Sequence, residues 1–236
     1  MHLVHPGRQD PKGRPLVGPG PGEIGLAAVN VGRPRLLAHH RGEAVSSGIA
    51  KRPVGVNVLR LDTVNLEGDG QADLSVHGGP DKAVYAYPSE HLAWWAVELG
   101  QELGPAPFGE NLSTVGATED DVCIGDRWAW GDAVLEVSQP RSPCYKLALH
   151  RGVGDIGPRF NASGRSGWYL RVLQPGTVPA AGPIRVVEHH PLGATVAAIH
   201  TAFHDRDTPA DVLEALLCVD PLADGWKAAF ARRLWR

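Results

Sequence analysis

The segment Gln139-Pro140-Arg141-Ser142-Pro143-Cys144-Tyr145-Lys146-Leu147 sets a single thiol behind two prolines, with a cation within three residues on either side. Each proline fixes φ and removes an amide donor, so neither a strand nor a helix is expected to continue through this run. A thiol held at such a corner faces a cleft rather than a packed core. Arg141 and Lys146 favour its thiolate, the form that attacks electrophiles or ligates metals. Cys144 is therefore the first candidate reactive group.

Two further stretches carry chemistry-bearing residues. Gly68-Asp69-Gly70-Gln71-Ala72-Asp73 is followed by Val76-His77-Gly78-Gly79-Pro80-Asp81-Lys82. Paired glycines between a histidine and an Asp-Lys pair let backbone amides approach a ligand and form an anion-binding nest. Phe108-Gly109-Glu110-Asn111-Leu112 is a polar pair entering a strand. Each also has a structural reading: His77 as a solvent-facing histidine, Gly78-Gly79 as a tight turn, Glu110-Asn111 as a strand-edge pair. None is a P-loop or a dinucleotide-binding glycine pattern. Cys123 and Cys218, set among aliphatic residues, read as core, and Trp94-Trp95 as packing. The histidine pairs 39–40 and 189–190 point to opposite faces of a strand and are not read as metal ligands.

The elements that must position these groups are β-rich at first. Residues 1–22 hold five prolines and five glycines and read, to about residue 23, as a disordered leader. The fold is expected to begin near Ile24, with strands at Leu26–Val31 and Val54–Leu61. Ser89–Leu99 has a helical apolar repeat, with Ser89 as cap and Gly100 as stop. Trp128–Trp130 and Ala133–Gln139 form a hairpin across Gly131-Asp132. Strands follow at Trp168–Leu173 and Ile184–Val187, separated by a turn at Pro175-Gly176. Three helices close the chain, at Thr195–His204, Pro209–Leu217 and about Ala223–Leu234. Thr208 is read as a cap and Pro209 as the first helical residue. The expected domains are thus a β body over 24–190 and a helical extension over 191–236.

The composition narrows the class. A net charge of −3 over 236 residues, with no block of basic residues, excludes bulk attraction to nucleic acid or membrane surfaces. No run approaches the roughly 20 apolar residues of a membrane span. Three widely spaced cysteines exclude a disulfide framework and a Cys-x-x-Cys zinc site. A reduced, cytoplasmic setting is the default.

Taken in order, Val76–Lys82, Tyr87-Pro88-Ser89-Glu90-His91, Phe108–Leu112 and Val137–Leu147 resemble the MOSC family, in its bacterial YiiM-like branch, from about Leu26 to Arg236. The resemblance implies a mainly β fold: a bent, mostly antiparallel barrel with rim helices and a C-terminal three-helix extension. It implies the molybdenum cofactor, a molybdopterin, with Cys144 as the metal's protein ligand, since soft sulfur suits such a centre. Arg141, Lys146, Lys82 and Gly78-Gly79 would then surround the pterin and its phosphate. His77 and Asn111 would hydrogen-bond the pterin or the metal's oxo ligand, and Glu110, His77 and Asp81 are the implied proton donors. The implied reaction is reduction of N-hydroxylated small molecules, such as 6-hydroxylaminopurine, to amines. Electrons would come from a separate flavoprotein or ferredoxin-type reductase, because the chain has no flavin, nicotinamide or iron–sulfur motif. A family-level pyridoxal phosphate association belongs to the same resemblance. Two alternatives remain open: a sulfur carrier with a Cys144 persulfide, and a non-catalytic cofactor-binding protein.

Overall fold

The computed structural model describes residues 22–72 and 78–235. The first half contains β1 (Glu23–Val31), β2 (Arg35–His40), β3 (Glu43–Ser47), β4 (Arg52–Pro53), β5 (Val58–Leu61) and β6 (Val84–Pro88). Helix α1 (Leu92–Leu99) precedes β7 (Leu112–Val115), β8 (Arg127–Trp130) and β9 (Ala133–Pro140). Helices α2 (Tyr145–Arg151) and α3 (Ile156–Ser163) lead to β10 (Trp168–Gln174), β11 (Gly176–Pro179) and β12 (Ile184–Glu188). The chain ends in α4 (Val196–His204), α5 (Ala210–Leu217) and α6 (Asp224–Leu234).

Seven strands close a barrel in the order β12-β8-β9-β10-β6-β7-β1, with β1 pairing back onto β12. Neighbours are antiparallel except β6 and β7, which run parallel. Register shifts in β1, β10 and β12 bend the strands, which is how a short-stranded sheet curls far enough to close. Alternating inward residues fill the interior: Trp128 and Trp130 from β8, Leu135 and Val137 from β9, Trp168 and Leu170 from β10, none exposed to solvent. The expected bent barrel is the observed architecture.

The C-terminal helices share this interior. Val196, Ile199, Leu213, Leu216, Trp226 and Phe230 belong to one continuous apolar cluster with the barrel residues. Backbone bonds tie the parts together: Val196 N–H donates to Val122 O at 2.8 Å and Ala223 N–H to Ser138 O at 3.1 Å. Among the described residues no helix is long and apolar enough to cross a membrane.

Several local expectations need correction. Val54–Leu61 is not one strand: Val54 packs against the core ahead of β5, Val56 and Val58 are exposed, and within β5 Leu59 and Leu61 turn inward. Gly176 opens a strand rather than a turn, because β11 crosses to pair with β5. Ser89 makes no capping bond; it opens a 3-10 turn ahead of α1. The Thr208 hydroxyl donates back to Asp205 O at 2.9 Å instead of capping, so Pro209 is the cap residue of α5. Cys218 is exposed at the end of α5 and Cys123 is half-buried, so neither is a core residue. The leader expected to about residue 23 stops short of that bound, because Gly22 O accepts from Val186 N–H and Glu23 opens β1; residues 1–21 lie outside the described residues.

Candidate functional site

The two prolines do less to the chain than their chemistry suggests. Strand β9 continues through Pro140, opposite Trp168, where the missing donor falls at a strand end. Helix α2 begins at Tyr145, directly after Cys144, whose backbone is extended and whose carbonyl accepts from Leu147 N–H at 2.9 Å. Only Arg141-Ser142-Pro143-Cys144 lies between strand and helix. This corner places Cys144 on the wall of a cleft of about 740 Å³, its mouth included. Lys51, Asp69, Lys82, Asn111, Arg141 and Lys146 share that wall.

Arg141 is the electrostatic centre. It is 5% exposed, with its guanidinium carbon 4.9 Å from the Tyr85 ring centroid and 5.1 Å from that of Phe160. Burial opposes its charge; Tyr85, Tyr169 and Cys144 offset this and leave its pKa above the usual arginine value. Its Nη1 is buried without a hydrogen-bond partner, as is Gln71 Oε1 on the same wall. Lys146 is also buried, in the first turn of α2.

Asp69 organises the opposite side. One carboxylate oxygen accepts from the Lys51 ammonium and from Gly32 N–H, the latter at 2.8 Å; the other accepts from Asn111 Nδ2 at 2.8 Å. Burial lowers the pKa of Lys51, against the attraction of Asp69. Asn111 is equally committed: Nδ2 also donates to Asn30 O at 3.2 Å, and Oδ1 accepts from Tyr85 N–H at 3.1 Å. Loops 47–49 and 69–72 touch here so closely that a Cβ on Gly48 would lie 2.2 Å from Gly70 O.

The expected site residues divide accordingly. Cys144, Arg141, Lys146, Lys82, Asn111 and Gly78 line the cleft. Gly79 is the cap residue of the 3-10 turn at Pro80–Lys82 and is not among the lining residues. Glu110 is not at the rim. It is fully buried, accepting from Phe108 N–H at 3.0 Å and Ser113 Oγ at 3.3 Å, and burial pushes its pKa to about 7. Asp81 faces away into an ion pair with Arg171 at 2.8 Å. His77 lies outside the described residues.

Comparison with known proteins settles the family. The MOSC domain model matches residues 73–185, and that of the YiiM-like 3-alpha helix domain matches 195–235. Protein YiiM of Escherichia coli is 42% identical over 212 residues, 82% of this chain and 92% of that one. The chain belongs to the MOSC family.

Within that family, the crystal structure of YiiM from Geobacillus stearothermophilus superposes with a TM-score of 0.75 at 33% identity, over 89% of this chain and 99% of that one. A Gibberella moniliformis protein named "Reductase" is 38% identical over 125 residues, 51% of this chain but only 22% of its own length. The MOSC match begins after Lys51 and Asp69, two cleft residues that lie outside its span. Sequence reasoning marked the Gly68–Asp73 stretch but missed Lys51, Tyr85 and Tyr169. Lys51 sits in the unremarkable run Ile49-Ala50-Lys51-Arg52-Pro53, and the two tyrosines read as ordinary strand aromatics.

Proposed function

We propose that this MOSC protein is a molybdenum-cofactor reductase that converts N-hydroxylated small molecules to amines. Per turnover, R–NHOH, two electrons and two protons give R–NH2 and water. The observation that carries the reading is Cys144 on a cleft wall with four cations, Lys51, Lys82, Arg141 and Lys146, where Asp69 already neutralises Lys51. A thiol facing an excess of positive charge suits a soft metal carried by a phosphate-bearing pterin.

The residues present fit that group. Arg141 Nη1 and Gln71 Oε1 are buried and unpartnered, a donor and an acceptor that a polar ligand would satisfy. Among the described residues no three His, Cys, Asp or Glu side chains converge as a metal site. A metal at Cys144 must therefore bring most of its ligands with it, as a pterin dithiolene does. When bound, the cofactor supplies two-electron chemistry coupled to oxygen transfer. The chain's own part is to bind and orient: Cys144 offers the ligating sulfur, Arg141 and Lys146 hold negative charge beside it, and Lys82 and Gly78 line the same cleft.

Proton supply is reassigned from Glu110 and Asp81, which the fold keeps off the cleft wall. Lys51 is on that wall, with a lowered pKa and Asp69 behind it, and is the group we assign to pass a proton inward. Electrons are assigned to a separate flavoprotein or ferredoxin-type reductase.

The test is molybdenum content by elemental mass spectrometry, with 6-hydroxylaminopurine reduction, on wild type and Cys144→Ser from a cofactor-competent host. Near-stoichiometric metal and turnover in the wild type, both lost in the variant, are expected. Metal retained by Cys144→Ser would overturn the ligand assignment. Metal absent from both proteins would favour the sulfur-carrier reading, which a persulfide assay on Cys144 would then examine.

A further inference from the structure

Lys51 lines two cavities. Besides the Cys144 cleft it reaches a separate groove of about 890 Å³, mouth included, and it is the one residue that the two walls share. Arg35 of β2, Arg52 of β4, and His150 with Arg151 at the end of α2 bring basic side chains to this groove from three elements. Among the described residues no carboxylate lines it.

The helix end accounts for only part of this. Basic side chains in a last turn complement the carbonyls that a helix leaves unpaired, which explains His150 and Arg151. It does not explain Arg35 and Arg52, which come from strands. Among the described residues none of the three arginines forms an ion pair with a carboxylate. Arg151 is nevertheless fixed in place: its Nη2 donates to Gln101 Oε1 at 2.8 Å, while its Nε is buried without a partner. A buried donor left open in a groove of unpaired arginines is a position that a ligand oxygen completes. Burial lowers the pKa of His150 to about 4, and Arg151, Arg35, Arg141 and Arg52 add to the shift, so the fields of these arginines converge on one ring.

We propose that this groove binds the phosphate group of a small organic phosphate, a monoester dianion, at a site separate from the Cys144 cleft. Planar guanidinium forks match phosphate oxygens in pairs, which a lysine ammonium cannot do. Arg35, Arg52 and Arg151 answer the charge of a dianion without calling on Lys51, which Asp69 already neutralises. The exposed Leu36, with Leu37 and Pro105, gives the groove an apolar side. The organic part of an ester covers that side, whereas free phosphate leaves it bare. The inference stands on these residues whatever reaction the cleft carries out.

The test is calorimetric titration of the full chain at low salt with adenosine 5′-monophosphate and, separately, with orthophosphate. One variant is the double substitution Arg35→Gln and Arg52→Gln, which removes two exposed charges and strands no partner. The other is Gly104→Asp: the position has no left-handed φ and a Cβ there meets no atom within 4 Å, so a carboxylate enters the groove without strain. The wild type is expected to bind the ester more tightly than orthophosphate. Both variants should weaken that binding by about tenfold or more, with melting temperature and molybdenum content unchanged. Equal affinity for the two probes would assign the groove to the free anion. No binding by the wild type, or wild-type affinity in both variants, would overturn the site. Binding seen in Cys144→Ser but absent from molybdenum-loaded wild type would also overturn it, because the cofactor's own phosphate would then fill the groove.

Discussion

The Asp69 carboxylate holds the Lys51 ammonium on the cleft wall with both side chains almost wholly withdrawn from water, 1% and 8% exposed. A buried pair of this kind contributes little over apolar packing, but losing one partner strands the other. Asp69→Ala is therefore expected to destabilise the protein by about 3–5 kcal/mol, or roughly 10 °C in melting temperature for a chain of this size. The stability that remains should rise with pH. A buried amine whose pKa is below its unfolded value of 10.5 binds fewer protons folded than unfolded. A melting temperature within two or so degrees of wild type would show that the pair is not a structural fastening.

Glu110 gives the opposite dependence. Its folded pKa of about 7 lies above the ordinary 4.5, so the stability it contributes is fully present below 4.5 and is lost as pH rises through 7. Glu110→Gln should abolish that loss, shifting the gap between variant and wild type by on the order of 3 kcal/mol across the window. His200 and His150, both lowered to about 4 by burial, favour the fold as pH rises from 4 to 6.5, so the difference between the two proteins is the clean observable. Urea midpoints at a series of pH values measure it. Parallel curves would mean that Glu110 does not titrate in this range.

Gly48→Ala tests the contact between the loops that border the cleft. The added methyl would press on Gly70 O at 2.2 Å, a backbone atom that cannot swing aside. A loss of about 2–3 kcal/mol is expected from this overpacking, together with reduced molybdenum retention if the cleft both loops line holds the proposed cofactor. Normal metal content in a destabilised variant would separate the loop contact from cofactor binding.

Trp226→Ala tests whether the C-terminal helices stabilise the barrel. Trp226, 6% exposed, packs in the same apolar cluster as Trp128 and Val137. Its removal is expected to cost about 3–5 kcal/mol in a single cooperative transition. Two separate calorimetric transitions would instead mark the helices as an independent unit.

Much of this architecture is legible in the chain. The β8–β9 hairpin, β10, β12 and the C-terminal helices follow apolar periodicity and turn chemistry, which are local properties. The errors arise where distant residues decide. Val56 and Val58 alternate as a strand should, yet Val56 lies ahead of β5 and Val58 is on its solvent face, so neither packs on the core. Helix α2 was hidden by Pro143, which forbids a helix through it but not one starting two residues later. The Cys144 corner announces itself in sequence because its chemistry is written in neighbouring residues. The Lys51–Asp69–Asn111 network does not, since it joins three loops by contacts between residues 18 and 42 apart. Glu110 misled for the same reason: a carboxylate beside a polar neighbour reads as an acid at a rim until the fold buries it.

The barrel closes unevenly. Strands β9 and β10 are joined by six registered pairs, whereas β1 meets β12 through two, Glu23 with Arg185 and Ile24 with Ile184. Under tension applied at the N-terminal end of β1, this short seam would unzip first, and the wall would splay like a barrel with one loose stave. Amide exchange should accordingly run faster along this seam than across the β9–β10 pairing. The Cys144 corner, braced by β9 and β10 on the opposite side of the ring, would keep its shape while that edge breathes.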